Sequence, residues 1–205
     1  MASRSGKGQP GAGLSVGRDM LIEVTCNLLK TTQPATITRA LVARETGVDP
    51  SLIRYYFRNR SVLLAAAASR MAERYGQMIE QANVRSDGSP VSLLRERIRA
   101  LIDLLATYPY FHRLLTEEIM PSAEPEAVEM FRQMTERGTL SYDAILSAGI
   151  EQGVFDANIN RTMLFTAIIG MSEFYMPGLR VMAEAEGDIG PEAETRAAYT
   201  EFVCN

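Results

Sequence analysis

The stretch Thr36-Ile37-Thr38-Arg39-Ala40-Leu41-Val42-Ala43-Arg44-Glu45-Thr46-Gly47-Val48-Asp49-Pro50-Ser51-Leu52-Ile53-Arg54-Tyr55-Tyr56-Phe57-Arg58-Asn59-Arg60 decides the fold. It reads as two short helices joined by a tight turn. The first carries Ala40, Leu41, Val42 and Ala43, with a hydroxyl at Thr38 or Thr36 placed to accept from the free N–H groups of its first turn. Gly47 stands where a helix C-cap needs positive φ, which a residue without a Cβ adopts at little cost. Asp49-Pro50 restarts the helix, a capping carboxylate followed by proline at the first helical position. The second helix runs from about Pro50 to Phe57. At 100° per residue, Val48, Ile53 and Phe57 face inward while Ser51 and Tyr55 face out, flanked by Leu52 and Arg54. Arg54, Arg58 and Arg60 crowd its end. A hairpin whose outer face offers arginines, a hydroxyl and tyrosines suits a DNA major groove.

These residues resemble the DNA-binding signature of the tetracycline-repressor (TetR) family of bacterial transcription regulators. Thr38 to Val48 is similar to that family's second helix and turn, and Leu52 to Leu63 to its third helix and the start of its fourth. The likeness spans roughly residues 14–68; beyond that, only length, helicity and element order agree. The resemblance implies that Thr38, Tyr55, Tyr56 and Arg60 hold phosphates, and that Arg39, Ser51, Leu52 and Arg54 lie nearest base edges. Arg60 replaces the family's usual lysine, and Arg54 stands where a polar or aromatic residue is common. An arginine there is suited to fork onto guanine O6 and N7.

Working outward, the 205 residues are enough to bury a real core, and at 46% hydrophobic residues the chain is not a disordered one. Few segments alternate with period two, so the expected class is all-α: a three-helix N-terminal helix-turn-helix unit and a larger helical C-terminal one. The expected divisions are an arm over 1–14, a DNA-binding domain over 15–62, and a ligand-binding and dimerisation domain over 63–205. The net charge of −4 hides an asymmetry. Residues 1–61 hold nine basic and four acidic residues, a surplus of five positive charges, and the remainder is correspondingly acidic. A basic head on an acidic body suits a molecule that presents one end to phosphates. Cys26 and Cys204 lack CxxC spacing, no segment nears the ~20 apolar residues of a membrane span, and the Gly-rich start has no signal-peptide core. A reducing cytoplasm is the expected address.

Ser15 is placed to cap a first helix reaching Lys30, with Leu21, Val24 and Leu28 inward. Ser61 opens a long helix with the stripe Leu64, Ala67, Ala68, Met71, Tyr75, Met78 and Ala82. After the break at Asp87-Gly88-Ser89-Pro90, Leu94, Ile98, Leu101, Ile102 and Leu105 mark a strongly amphipathic helix. A short helix follows Tyr108-Pro109, and a long one follows Pro125, loosened at Gly138 and ended at Gln152-Gly153. The next, from near Asn160, is apolar on several sides, with Pro177-Gly178 expected to kink or end it. Pro191 opens the last.

No HExxH, GxSxG or glycine-rich phosphate loop occurs, and the one histidine, His112, has no partner for nucleophilic or metal chemistry. The expectation is therefore no enzyme, no cofactor and no metal. The body's Met and aromatic side chains suit a pocket between helices: Met71, Tyr75, Met78, Phe111, His112, Phe131, Met134, Tyr142 and Phe174. The resemblance implies a pocket in this region and a two-fold dimer through the last two helices, for which Leu164, Ile168, Met171, Tyr175 and Phe202 are the candidates. The expected molecule is a dimeric, ligand-responsive repressor of a pseudo-palindromic double-stranded DNA operator, released by a small apolar or aromatic effector. The alternative is a helical small-molecule-binding protein whose head does not bind DNA.

Overall fold

Five helices begin at a side chain that accepts a hydrogen bond from the free N–H groups of its own first turn: Thr38 from Leu41, Asp49 from Ser51, Asn59 from Val62, Ser89 from Ser92 and Asn160 from Met163. Each such cap contributes about 1 kcal/mol. Together they set the frame seen in the computed structural model, which describes residues 12–187 and 192–204. The helices are α1 (Ala12–Leu28), α2 (Arg39–Thr46), α3 (Pro50–Tyr56), α4 (Arg60–Arg85), α5 (Pro90–Thr107), α6 (Phe111–Arg113), α7 (Pro125–Glu151), α8 (Arg161–Glu186) and α9 (Glu192–Cys204). A tight turn at Pro34–Thr36 precedes α2, and α6 continues into a wider, π-type turn over Leu114–Ile119. The protein is all-α, with no strand among the described residues.

The α2–α3 turn closes as its composition requires. Gly47 caps α2 at φ 69°, its N–H donating to Ala43 O and Arg44 O. Beneath the turn, Val42, Ile53 and Phe57 are fully enclosed. The α1 face against them is rotated from the expected one. The buried residues are Leu21, Ile22, Thr25, Cys26 and Leu29, while Val24 and Leu28 are only partly covered. Two polar side chains make this possible. The Thr25 hydroxyl donates to Leu21 O (2.8 Å), and the Cys26 thiol to Ala67 O (3.6 Å) across the α1–α4 contact. Burial pushes that thiol up to about 11. At the edge of the same contact Arg70 donates to Asp19 and Glu23, and Arg74 to Glu23 and the Tyr108 hydroxyl.

Helix α4 joins the two parts of the molecule. Val62 to Ala68 are all buried, seven in succession, because α1 covers one side of this segment and the π-type turn and α7 cover the other. The alanines at 65–68 allow that close approach from several directions. One continuous core follows, from Leu21 through Leu64 and Met71 to Ile102, Leu114, Tyr142, Ile168 and Tyr175.

Several boundaries differ from the sequence reading. Helix α1 starts at Ala12, so Ser15 lies inside it, and 1–11 of the expected arm lie outside the described residues, as does Pro191. Helix α7 passes Gly138 unbroken, and α8 passes Pro177. A proline removes one i→i−4 bond, and buried Tyr175 with half-buried Leu179 hold α8 on the core either side of it.

The connection from α7 to α8 is fixed by Phe155, whose ring lies over Gly149. A Cβ built on Gly149 would sit 2.0 Å from the ring's Cδ2. Gly149→Ala should therefore lose about 1–3 kcal/mol through overpacking, roughly 3–9 °C in melting temperature for a chain of this length. Thermal unfolding followed by circular dichroism measures it. In a Phe155→Ala background the same change should be much milder; losses that simply add would mean the ring is not the cause.

Candidate functional site

On α3 the inward positions, Ile53 and Phe57, are fully enclosed, so the opposite face must look out. Ser51, Arg54 and Tyr55 lie there, exposed, with Leu52 half-buried beside them; the Tyr55 side chain is 68% exposed. Tyr56 turns back toward α1, its hydroxyl close enough to Gly17 that a Cβ there would lie 2.9 Å away. The Tyr55 and Tyr56 rings meet edge to face at 5.2 Å. The Thr38 hydroxyl accepts from Leu41 N–H (3.1 Å), which leaves its own proton free to donate to an oxyanion. Arg39 folds back, Nη1 donating to Arg58 O (3.1 Å), and braces α2 against the α3–α4 turn.

Arg60 departs from its expected role. Its Nε donates to Ile37 O (2.7 Å), another nitrogen to Pro34 O, and a third to Glu118 in the π-type turn (2.5 Å). With three directions of the guanidinium occupied inside the molecule, Arg60 does not present itself to a phosphate. It ties the start of α4 to the body. Glu124 adds to this tie, accepting from Asn59 Nδ2 and lying 3.7 Å from Arg58, whose side chain is 80% exposed.

In the body, α7 and α8 flank a cavity of about 380 Å³, open to solvent on one side, lined by Thr139, Tyr142, Asp143, Leu146, Arg161, Thr162, Leu164, Phe165 and Ile168. The Tyr142 ring meets Phe165 edge-on at 5.4 Å, and its hydroxyl lies 3.0 Å from the Tyr75 hydroxyl. Burial raises both phenols above their ordinary range. Arg161 reaches Asp143 (3.3 Å) and Ser147 (3.1 Å) at one edge. A second, shallower cavity runs along the outer side of α7 past Met120, Val128, Phe131, Thr135 and Leu140. Among the described residues no group of three His, Cys, Asp or Glu is placed to hold a metal, and no helix is long and apolar enough to cross a membrane.

Helix α8 has two apolar faces. Ile168 and Tyr175 point into the protomer's core. Met163, Met171, Phe174, Val181 and Met182 are exposed, within an arc of about 100° at 100° per residue. Phe202 of α9 is exposed as well, at 74%.

A family model described as "Tetracyclin repressor-like, C-terminal domain" matches residues 90–205. The chain belongs to the tetracycline-repressor family of transcriptional regulators. Solved structures agree in fold. A tetR-family regulatory protein from Rhodococcus RHA1 superposes with a TM-score of 0.66 at 15% identity, covering 92% of this chain and 95% of that one. FadR from Bacillus subtilis, in complex with stearoyl-CoA, gives 0.64 at 17% identity, with 91% and 97% covered. The ketosteroid regulator KstR2 of Mycobacterium tuberculosis gives 0.63 at 13%, with 91% and 90% covered. At such identities the likeness is one of fold. No curated protein matches the sequence.

Within this tetracycline-repressor fold the expected pocket set does not converge. Tyr142 lines the α7–α8 cavity and Tyr75 touches it, but Met71 is fully enclosed in core packing. His112 pairs through Nδ1 with Glu173 (2.6 Å) at the α6–α8 edge, and Phe174 is 62% exposed on the far side of α8. Phe131 lines the shallow groove instead, and Met78, Phe111 and Met134 line neither cavity. The expected dimer set splits likewise: Met171 and Phe202 are exposed, Leu164 lines the cavity, and Ile168 and Tyr175 belong to the core. The cavity-lining residues outside the expected sets are Thr139, Asp143, Leu146, Arg161, Thr162 and Phe165. A single repeat of apolar spacing does not say which of two apolar faces of α8 meets α7.

The head residues separate experimentally. Arg54→Ala should leave the melting temperature unchanged and relax preference at one base position per half-site, at about 1–3 kcal/mol per contact. Arg60→Ala should lower stability by about 2–4 kcal/mol, because Glu118 loses its partner in a partly buried site. Thermal melts and selection on random duplexes distinguish them. An unchanged melt for Arg60→Ala would contradict the internal tie.

Proposed function

We propose that this protein is a dimeric repressor, and not an enzyme, that reads a pseudo-palindromic DNA operator with α3 and lets go when a small, largely apolar molecule fills the cavity between α7 and α8. The observation that carries the reading is the α3 outer face. Ser51, Arg54 and Tyr55 stand free on a helix whose inner side is locked by Ile53 and Phe57, at the basic end of an otherwise acidic chain. Ser51, Leu52 and Arg54 are the residues for base edges. Thr38, Tyr55, Tyr56 and Arg58 are those for phosphates, with Arg39 as a brace. The arm, the reading head over residues 15–62 and the body over 63–205 are proposed as the functional divisions, and a cytoplasmic location follows from the target.

Dimerisation is supported by the exposed α8 arc. Phe174 and Val181, more than 60% exposed each, form an apolar strip that an isologous two-fold contact with α8 and α9 of a second copy would bury. Such a dimer places two heads on half-sites about one helical turn apart, roughly 34–36 Å. The FadR structure holds stearoyl-CoA, which supports a small-molecule effector in this fold. The cavity is near the lower end of ligand-pocket size, for which about 300–1,000 Å³ is usual. Effector filling it must favour one head arrangement over another to act at all. The ties from Glu118 to Arg60 and from Glu124 to Asn59 are the route by which a shift of the body would move the head.

Two measurements test the whole. Random-duplex selection should return a two-fold-related site whose affinity falls with salt, with a slope of log K against log salt of roughly −2 or steeper for one Arg58 contact per protomer; no selected sequence, or a flat response, removes the repressor reading. In sedimentation at micromolar concentration the wild type should be a dimer and Phe174→Asp a folded monomer. Ile168→Glu should instead unfold the protomer. A dimeric Phe174→Asp protein would move the interface elsewhere.

A further inference from the structure

Arg97, on α5, differs from the other arginines of the body. Of the partly buried arginines beyond residue 90 whose side chains are described, Arg95, Arg113 and Arg196 each lie within ion-pair distance of a carboxylate: Glu201, Glu117 and Asp103. The Arg97 guanidinium has no hydrogen bond or ion pair among the described residues; its Nε, like that of Arg95, is buried without an acceptor. Its contact is with an aromatic ring: the guanidinium carbon lies 5.9 Å from the centroid of Tyr142. A cation held partly out of water with no counter-charge is unfavourable, and a ring face replaces only part of the lost hydration.

The surroundings of Arg97 are donors. The Tyr142 hydroxyl meets the Tyr75 hydroxyl at 3.0 Å, and Tyr75 donates to the Arg97 backbone carbonyl (3.2 Å). Desolvation by burial dominates the raised titration of both phenols, so they stay protonated, while the Arg97 charge acts on both in the opposite sense. The carboxylate on the cavity wall, Asp143, is already beside Arg161. One end of the α7–α8 cavity is lined by Tyr142, whose ring meets the Arg97 guanidinium and whose hydroxyl meets that of Tyr75; Arg97 and Tyr75 are not themselves on the cavity wall. Phe165, Ile168 and Leu146 make an apolar wall beside it.

We propose that the effector carries a single carboxylate that reaches Arg97 at the Tyr142 end of this cavity, the Tyr142 hydroxyl turning from Tyr75 to donate to it, with its apolar body along Phe165, Ile168 and Leu146. The proposal rests on the reading of this cavity as the effector site and adds the chemical class. A neutral ligand of the same shape would fill the apolar part and leave Arg97 without a counter-charge; a carboxylate also makes charge-assisted hydrogen bonds, which are about twice as strong as neutral ones.

The test uses two matched probe pairs, decanoate with decanol and 4-phenylbutyrate with 4-phenylbutanol, on the full-length protein. Thermal shift follows binding, and tyrosine emission, which in a chain with eight tyrosines and no tryptophan sums over all eight, gives a second readout. In the wild type at least one acid should bind about tenfold or more tighter than its alcohol. Arg97→Met should weaken that acid by about tenfold to a hundredfold and leave the alcohol unchanged; Arg97→Lys should restore part of the preference. Should Arg97→Met fail to fold by circular dichroism, Arg97→Lys and Arg97→Gln take its place, and titrating the wild type below the probe's own pKa should abolish the preference. Acid and alcohol binding alike, or acid affinity unmoved by the Arg97 variants, overturns the carboxylate and leaves the cavity as an effector site. If neither member of either pair binds the wild type, the cavity reading falls with it.

Discussion

The first turn of α4 lies where two parts of the molecule would otherwise swing freely. Asn59 caps the helix with its side-chain oxygen and donates from its amide nitrogen to Glu124, while Arg60 gathers Pro34 O, Ile37 O and Glu118 around one guanidinium. Two of these acceptors are backbone carbonyls leading into α2, and the carboxylates belong to the body. A guanidinium is suited to the position because it donates in several fixed directions in one plane, which an ammonium cannot do. Arg60 and its neighbour Asn59 are thus the polar part of what orients the reading head on the body.

That constraint explains why α4 is so thoroughly covered. Val62 to Ala68 are enclosed on all sides, by α1 on one flank and by the π-type turn and α7 on the other. A head held by polar ties at the helix start and by apolar packing just beyond moves with the body and not independently of it. The π-type turn is significant in this respect. It carries Glu118 toward Arg60 and buries Leu114 and Ile119 in the same six residues, so the tie to the head runs through a segment with a non-standard hydrogen-bond pattern.

Helix α8 divides the work of the body between its faces. One side, with Ile168 and Tyr175, completes the core, and Tyr175 packs on Tyr199 of α9 with ring centroids 5.0 Å apart. The adjoining side, Leu164, Phe165 and Ile168, forms a wall of the cavity. The third, from Met163 to Met182, is left to solvent in the protomer. On the proposed reading, a ligand against the second face and a partner against the third would press on the same helix, so that occupancy of the cavity would bear on the spacing of two heads.

Local chemistry was sufficient for the elements and the reading face. The caps at Thr38, Asp49, Asn59, Ser89 and Asn160 act within three residues of themselves, Gly47 answers a local dihedral, and the 100° step puts Tyr55 opposite Ile53 whatever surrounds them. These are short-range properties, and the sequence by itself determined them, together with the all-α class and the charge asymmetry. Tertiary structure decided the rest. Arg60 reads as a phosphate ligand until Glu118, 58 residues away, is brought beside it. Ile168 and Phe174 are equally apolar in the sequence, and only the docking of α5 on one side of α8 buries the first and exposes the second. Arg97 is one arginine among many until the fold surrounds it with tyrosines instead of carboxylates. In each case the residue's role is set by a partner distant in sequence, and side-chain spacing along one helix carries no information about which neighbour will arrive.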